Sequence, residues 1–216
     1  MPYSRKGVIG WMARILKTIM DYSGAAVALI LFSPIMLWAA WRIKREDGGP
    51  ILFRHTRIGK DLKPFQMYKF RTMTPDAEAQ LVEMLKDDNL RAEFESLFKF
   101  KNDPRITKIG HFLRRTSLDE LPQIFNVLKG EMSLVGPRPI VDREIELYYH
   151  DQAKEIFSVK PGLTGLWQVS GRNDVANYQQ RINLDLRYIR EAGVWTDVKI
   201  ILRTFRSICG GGGGAY

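Results

Sequence analysis

Cysteine is nearly absent from this sequence, with Cys209 as the single thiol among 216 residues. An intrachain disulfide is therefore excluded, and so is a zinc site built from several thiolates. One thiol in a chain of this length fits a reducing compartment. Histidine is also scarce, and His55, His111 and His150 do not have the spacing of metal ligands. We therefore interpret the three histidines as structural.

Acidic residues are too few to balance the basic ones, because 24 Asp and Glu stand against 33 Lys and Arg. The net charge of +9 predicts an anionic partner, such as nucleic acid, an acidic membrane surface or a phosphorylated small molecule. Two basic blocks, 42–71 and 99–116, flank an acidic block at 76–98. This distribution does not decide between those partners. The chain is 45% hydrophobic, which is enough for an ordinary core.

The stretch from Tyr22 to Trp41 contains no charged residue over 20 positions, the length that a helix needs to cross a bilayer. Two features argue against a simple spanning helix. Basic residues lie on both sides of the stretch, so both flanks favour the cytoplasmic side. Ser33 and Pro34 lie near its middle. Pro34 cannot donate a hydrogen bond to the carbonyl of Ile30, which predicts a bend in the helix, and the Ser33 hydroxyl could donate to a carbonyl that this bend leaves free. The residues alone still favour a spanning helix, with a re-entrant helix as the alternative.

The remaining chain reads as a series of short elements without internal repeats or a domain linker. In chain order, the patterns predict a basic β-hairpin over 50–73, a charged helix over 76–100, a helix over 106–115, a loop over 133–140, helical structure over 142–158, a turn, strand and turn over 160–172, and helices over about 175–192 and 196–208. The run at 210–214 is glycine and predicts a flexible tail.

The segment "LRRTSLDELPQ" (113–123) places two adjacent carboxylates directly after two arginines. Local rules predict a capping box, with Ser117 at the N-cap of a helix and Glu120 three residues later. Pro122 is tolerated in a first turn, and apolar residues at 121, 124, 125 and 128 mark one buried face. Gly130 then ends the helix. The same residues also suit a site for a phosphorylated ligand, since carboxylates hold Mg²⁺ and arginines hold phosphates.

Four motifs in a fixed order carry a resemblance to a known family. They are "YKFRTM", "LRRTSLDELPQ", "KGEMSLVGPRP" and "KPGLTGLWQVSGR", and they follow an apolar segment with a central Ser-Pro. In this order they resemble the bacterial sugar transferases, which are monotopic polyprenyl-phosphate phosphoglycosyl transferases. The extended final motif is similar to that of members that initiate exopolysaccharide or O-antigen assembly.

The resemblance implies transfer of a sugar 1-phosphate from a UDP-sugar to undecaprenyl phosphate, with release of UMP through a covalent aspartyl intermediate. It implies Asp119 as the nucleophile and Glu120 as a ligand of Mg²⁺. Arg114 and Arg138 match phosphate-binding positions, and Lys69 and Arg71 match a further basic pair of the site. UDP-galactose and UDP-glucose are the expected donors. Trp167 and Gln168 fit either a nucleotide-binding role or the protein core.

The resemblance also implies an α+β fold on one membrane face. In this view residues 1–45 form a basic flank and a re-entrant helix bent at Ser33 and Pro34. Residues 46–209 form a mainly helical cytosolic domain with a small β-hairpin and amphipathic interfacial helices, and 210–216 form the tail. The protein is expected at the cytoplasmic face of the bacterial inner membrane, without nucleic acid as a partner, and a homo-oligomer is left open.

Two other functions remain open from the residues alone. One is an ordinary glycosyltransferase that uses a UDP-sugar and releases UDP. The other is a non-catalytic basic protein that binds anionic lipid or nucleic acid at a membrane, for which Asp119 and Mg²⁺ would have no part.

Overall fold

The computed structural model describes residues 8–97, 100–170 and 178–209. Within these residues the chain is mainly helical, with two small sheets. The helices are α1 (Val8–Asp47), α2 (Ala77–Met84), α3 (Asp88–Leu97), α4 (Lys108–Arg115), α5 (Gln123–Leu128), α6 (Asp142–Glu144), α7 (Gln152–Ile156), α8 (Leu166–Val169), α9 (Tyr178–Glu191) and α10 (Val194–Cys209). The strands are β1 (Leu52–Ile58), β2 (Pro64–Phe70), β3 (Ser133–Val135) and β4 (Gly162–Thr164).

Helix α1 runs through the apolar stretch without a break in its helical backbone, although Pro34 lies inside it. The Ser33 hydroxyl donates to the carbonyl of Ile30 at 2.9 Å, which satisfies the group that Pro34 cannot reach. Among the described residues, α1 is the one helix that is long and apolar enough to cross a membrane, judged by its length and composition. The bend at Pro34 stays a prediction.

One face of α1 packs along the folded domain. Ala25 contributes to a buried cluster with Ile124 and Met132, and Ile43 to another with Leu113. The opposite face of α1 exposes large apolar side chains, which are Trp11, Met12, Ile15, Leu16, Ile19, Tyr22, Val27, Ile30, Leu31, Leu37, Trp38 and Trp41. Helix α1 therefore presents apolar side chains both to the folded domain and to its surroundings.

Polar contacts hold α1 to the domain at two separated places. Toward its N-terminus, Lys17 lies 2.8 Å from the fully buried carboxylate of Asp197 in α10, and Asp21 accepts from the Ser133 hydroxyl at 3.0 Å. At its C-terminus, Asp47 accepts from the guanidinium of Arg71 at 2.6 Å. Both ends of the apolar stretch therefore contact the same folded domain.

The predicted β-hairpin is confirmed, with β1 and β2 pairing antiparallel from Leu52 opposite Phe70 to Ile58 opposite Pro64. The helix predicted over 106–115 is also confirmed as α4, and Gly130 ends α5 with a positive φ of 77°. The predicted charged helix over 76–100 is instead two helices. Asp87 accepts from the backbone N–H groups of Asn89 and Leu90, so this residue caps α3 and separates it from α2.

The loop predicted over 133–140 begins with a strand. Ser133 to Val135 pair in parallel with Gly162 to Thr164, and the chain after β4 forms the short helix α8 instead of a turn. The pairing depends on a close backbone approach, because a Cβ on Gly162 would lie 2.1 Å from the backbone nitrogen of Gly136. The helical structure predicted over 142–158 is present, but a π-helical turn at Ile145–Tyr149 interrupts it.

Five predictions fall wholly or partly outside the described residues. They concern the basic flank at the start of residues 1–45, the end of the charged helix over 76–100, the start of the helix expected at about 175, the last two residues of the motif at 160–172, and the glycine-rich tail at 210–216.

Candidate active site

The backbone around Ser117 differs from the predicted capping box. Ser117 has φ 56°, in the left-handed region, and its side chain makes no capping hydrogen bond among the described residues. Leu118–Glu120 instead form one turn of 3₁₀-helix, and α5 begins only after Pro122. The prediction of a helix beginning at Ser117 is therefore wrong. A non-glycine residue in this conformation carries strain of about 1–3 kcal/mol, which is typical of functional sites.

This short turn places Asp119 and Glu120 beside β2. Lys69 of β2 donates to Glu120 Oε1 at 3.0 Å, and its Nζ lies 3.8 Å from Asp119 Oδ2. Asp119 is 6% exposed, so its carboxylate is largely removed from water. The structure thus joins two carboxylates and one ammonium group from separate parts of the chain.

Two clefts adjoin this group. The wide cleft, of about 1670 Å³, lies between the hairpin and α2, and Asp119, Arg114, Arg71 and His55 are among its lining residues. The narrow cleft has room for about one water molecule, and its lining includes Glu120, Arg138, Gln123, Pro139 and Gln168. Arg57 and Lys69 line both clefts. The adjacent carboxylates therefore face different spaces, as expected for neighbouring residues in a helical turn.

The pKa of Asp119 is raised to about 6, mainly by burial and partly by the charge of Glu120, while Lys69 and Arg114 act in the opposite direction. A carboxylate with a raised pKa is more basic and hence a stronger nucleophile once ionised. In the wide cleft, burial lowers the pKa of His55, and the nearby cations Arg57 and Lys69 lower it further. His55 is therefore neutral at pH 7.

The two arginines predicted from the motifs flank the pair. Arg114 lies in the last turn of α4, where its Nε donates to the Thr72 hydroxyl at 2.9 Å. This contact needs a close approach of α4 to the chain after β2, because a Cβ on Gly110 would lie 2.0 Å from the carbonyl oxygen of Thr72. Arg138 lies between two prolines with its guanidinium 5.5 Å from the centre of the Trp167 ring.

Arg71 has a different environment from the other predicted cations. Its guanidinium forms two hydrogen bonds with the Asp47 carboxylate and donates to the carbonyls of Pro50 and Met73 at 2.6 and 2.8 Å. These contacts connect Arg71 to the end of α1 and to the chain that follows it. Its predicted part in phosphate binding stays a prediction.

The donor set fits Mg²⁺ in the form that this ion takes beside phosphorylated substrates. No group of three or more potential metal ligands occurs among the described residues. Mg²⁺ commonly takes one or two carboxylates from the protein and completes its shell with water and substrate phosphates. Glu120 provides one such carboxylate.

Comparison with known proteins gives the same assignment as the motifs. The family model described as bacterial sugar transferase matches residues 12–211. The chain belongs to the bacterial sugar transferase family. The resemblance drawn from the four motifs is thus confirmed.

Three relatives illustrate the family. The undecaprenyl-phosphate galactose phosphotransferase of Salmonella typhimurium is 48% identical over 197 residues, which are 91% of this chain and 41% of that protein. The exopolysaccharide production protein ExoY of Rhizobium meliloti is 43% identical over 203 residues, 93% of this chain and 87% of that protein. The UDP-glucose:undecaprenyl-phosphate glucose-1-phosphate transferase of Escherichia coli is 39% identical over 202 residues, 88% of this chain and 39% of that protein. The chain spans about two fifths of the length of the first and third of these.

Within this bacterial sugar transferase, the structure brings Lys69, Arg114, Asp119, Glu120 and Arg138 together around the two clefts. Arg57 and Gln123 also line the narrow cleft, although the motifs did not mark them as site residues. Gln168 lines it too, and the sequence left open whether that residue belongs to the site or to the core. Alternation along β1 places Arg57 and His55 on one face and Arg54 and Thr56 on the other. That pattern was a usable signal, but it does not say which face lies toward the carboxylates.

Proposed function

We propose that this chain transfers a sugar 1-phosphate from a UDP-hexose, either UDP-galactose or UDP-glucose, to undecaprenyl phosphate and releases UMP. The reaction would initiate assembly of an exopolysaccharide, capsule or O-antigen. The observation that carries the proposal is the buried Asp119 carboxylate, which faces a wide cleft among cations. The names of the relatives supply the substrate classes, since they act on undecaprenyl phosphate and transfer galactose or glucose 1-phosphate.

The chemistry follows from the position of Asp119. A carboxylate oxygen of Asp119 attacks the phosphorus next to the sugar, and the bond from that phosphorus to the oxygen bridging to UMP breaks. UMP leaves with the bonding electrons, and an aspartyl phosphosugar remains. An oxygen of undecaprenyl phosphate then attacks the same phosphorus, and the Asp119 carboxylate is released. The burial that raises the pKa of Asp119 supports the first step, because it makes the ionised carboxylate more nucleophilic.

Repulsion between the Asp119 carboxylate and the donor diphosphate has to be offset. Lys69 lies beside both carboxylates, and Arg114 and Arg138 flank them from the wide and the narrow cleft. Planar guanidinium groups suit phosphate oxygens because they donate in pairs. Mg²⁺, when bound, would neutralise charge on the diphosphate, and we assign Glu120 as the carboxylate that would hold it.

We further propose that the protein is monotopic and lies on the cytoplasmic face of the inner membrane. A helix that crossed a bilayer would separate its two ends by about 30 Å of hydrocarbon. In α1, Lys17 and Asp47 lie on either side of the apolar stretch, and both form ion pairs with the same domain. Basic flanks on both sides add the positive-inside preference. The exposed apolar face of α1 would then enter one leaflet, with the bend at Ser33 and Pro34 as the proposed re-entrant turn.

The identity of the released nucleotide tests the proposed reaction. Protein in nanodiscs is incubated with Mg²⁺, undecaprenyl phosphate and a panel of UDP-sugars, alongside the variant Asp119→Asn. The proposal expects UMP from the wild type with one sugar and no UMP from the variant. Release of UDP would instead indicate ordinary glycosyl transfer. No nucleotide release with any sugar would favour a non-catalytic membrane-binding protein.

A further inference from the structure

Arg57 stands at the junction of the two clefts. It lies on β1 next to the end of the strand, and with Lys69 it lines both the wide cleft that holds Asp119 and the narrow cleft that holds Glu120. A cation in this position faces both the cleft that contains Asp119 and the cleft that contains Glu120. A diphosphate lying in the wide cleft at this junction would present two charged phosphate groups, joined by one oxygen, to such a cation.

Glu144 lies beside the guanidinium of Arg57. Its Oε2 lies 3.8 Å from Nη1 of Arg57 and accepts from the backbone N–H of Val141 at 2.8 Å. Its Oε1 accepts from Arg181 at 3.3 Å and from the Tyr178 hydroxyl at 3.2 Å. The Glu144 carboxylate is thus fixed by two side chains of α9 and by the backbone N–H of Val141, and it provides a rigid partner for Arg57.

The surroundings of Glu144 extend to the narrow cleft. Arg181 lies 5.2 Å from the centre of the Trp167 ring, and Arg138 lies 5.5 Å from the same ring. Arg57 and Arg138 therefore both contact one partly buried group of charged and aromatic side chains, which includes Glu144, Arg181 and Trp167. A purely structural ion pair would not require Arg57 to line both clefts beside Lys69.

We propose that Arg57 binds the diphosphate of the nucleotide-sugar donor at the junction of the clefts, and that Glu144 is a positioning residue that acts through Arg57. This inference rests on the proposed function, since it assumes a diphosphate donor. The guanidinium would donate to oxygens of both phosphate groups, as its planar set of N–H groups allows. Its loss would weaken binding of the donor before any chemical step.

Binding of UDP to protein in nanodiscs with Mg²⁺ tests this inference without turnover. Arg57→Gln is expected to raise the Kd for UDP by about 10- to 100-fold, the effect of losing a charge-assisted hydrogen-bond partner. Arg57→Lys, which keeps the charge but loses the planar fork, is expected to give an intermediate Kd. The matched control is Arg54→Gln, which removes the same charge from the same strand. Arg54 is exposed and lies over the Tyr68 ring. This control should leave the Kd unchanged.

Glu144→Gln separates a positioning role from a structural one. If Glu144 acts through Arg57, this change raises the Kd for UDP in the wild-type background but adds no further loss in the Arg57→Gln background. Additive losses would overturn the positioning role, because they would indicate an effect that does not pass through Arg57. A thermal unfolding midpoint for each variant identifies losses that come from unfolding.

The outcomes distinguish this inference from the proposed function. If the wild type binds UDP and Arg57→Gln binds it equally well, the inference alone is overturned. If Arg54→Gln and Arg57→Gln weaken binding to the same extent, the effect is long-range charge, and the inference is again overturned. If the wild type binds no UDP at all, the proposed function fails together with the inference.

Discussion

Replacing Asp119 with asparagine should stabilise the protein while removing its activity. The structure places an ionised carboxylate where it is only 6% exposed, and burial raises its pKa from 3.8 to about 6. Above pH 6 the folded state has to hold a charge that the unfolded state holds in water. A shift of about 2 units corresponds to a cost on the order of 3 kcal/mol at 1.36 kcal/mol per unit. Asparagine has nearly the same shape and carries no charge, so it avoids that cost.

The pH dependence of this effect follows from linkage. Below pH 3.8 both the folded and the unfolded state bind the proton, and the difference between wild type and variant is small. Between pH 3.8 and about 6 the unfolded state loses the proton first, so wild-type stability falls as pH rises. The advantage of Asp119→Asn should therefore be full at pH 8 and about half as large at pH 5. Unfolding midpoints in detergent with EDTA, measured at both pH values, check this.

Asp103→Asn is the matched control, because Asp103 is also a buried aspartate. Burial alone would raise the pKa of Asp103, but hydrogen bonds from the Arg105 side chain and backbone outweigh it and lower the pKa. Its stabilising contribution is present above pH 3.8, so Asp103→Asn should destabilise the protein at both pH 8 and pH 5. Equal or lower stability of Asp119→Asn at pH 8, relative to wild type, would refute the desolvation argument.

Three further predictions concern other residues. Glu120→Gln should raise the Mg²⁺ concentration for half-maximal UMP release by at least about tenfold, because it removes a charged ligand; an unchanged Mg²⁺ titration would count against the metal role. Arg71→Met should lower the free energy of unfolding by about 2–3 kcal/mol, by breaking charged hydrogen bonds to Asp47, and should leave the KM for the UDP-sugar unchanged; a raised KM would instead support phosphate binding by Arg71. Lys17→Met should lower the free energy of unfolding by about 3–5 kcal/mol, because it removes the cation that pairs with the buried carboxylate of Asp197, and adding Asp197→Asn should recover part of the loss; no loss in denaturant titration would contradict the pairing.

Elements that depend on neighbouring residues were predictable from the sequence. The hairpin follows from two β-branched and aromatic runs around a short polar turn, and α4 follows from an amphipathic pattern that ends in basic residues. Elements that depend on distant partners were not. Ser133 pairs with Gly162, and no local sequence pattern connects two residues so far apart in the chain. Ser117 has a left-handed backbone, although the residues around it satisfied every local rule for a capping box.

The candidate site divides in the same way. The motifs identified Lys69, Asp119 and Glu120, and the structure places the Lys69 ammonium group 3.8 Å from the Asp119 carboxylate and 3.0 Å from the Glu120 carboxylate. No motif distinguished Arg71, whose guanidinium is held by Asp47 at the end of α1, from Lys69 and Arg114, which lie beside the carboxylate pair. Arg57 was missed because its position depends on how the hairpin packs, which strand alternation alone does not determine.

The most direct test of the account is a search for the covalent intermediate on Asp119. Purified protein in nanodiscs is mixed with Mg²⁺ and the preferred UDP-sugar in the absence of undecaprenyl phosphate, quenched in acid and analysed by intact mass spectrometry. The account predicts a mass increase of one hexose phosphate, mapped to the peptide that contains Asp119, absent in Asp119→Asn, and lost when undecaprenyl phosphate is added. Steady UMP formation with no adduct under any quench condition, or an adduct on another residue, would contradict it.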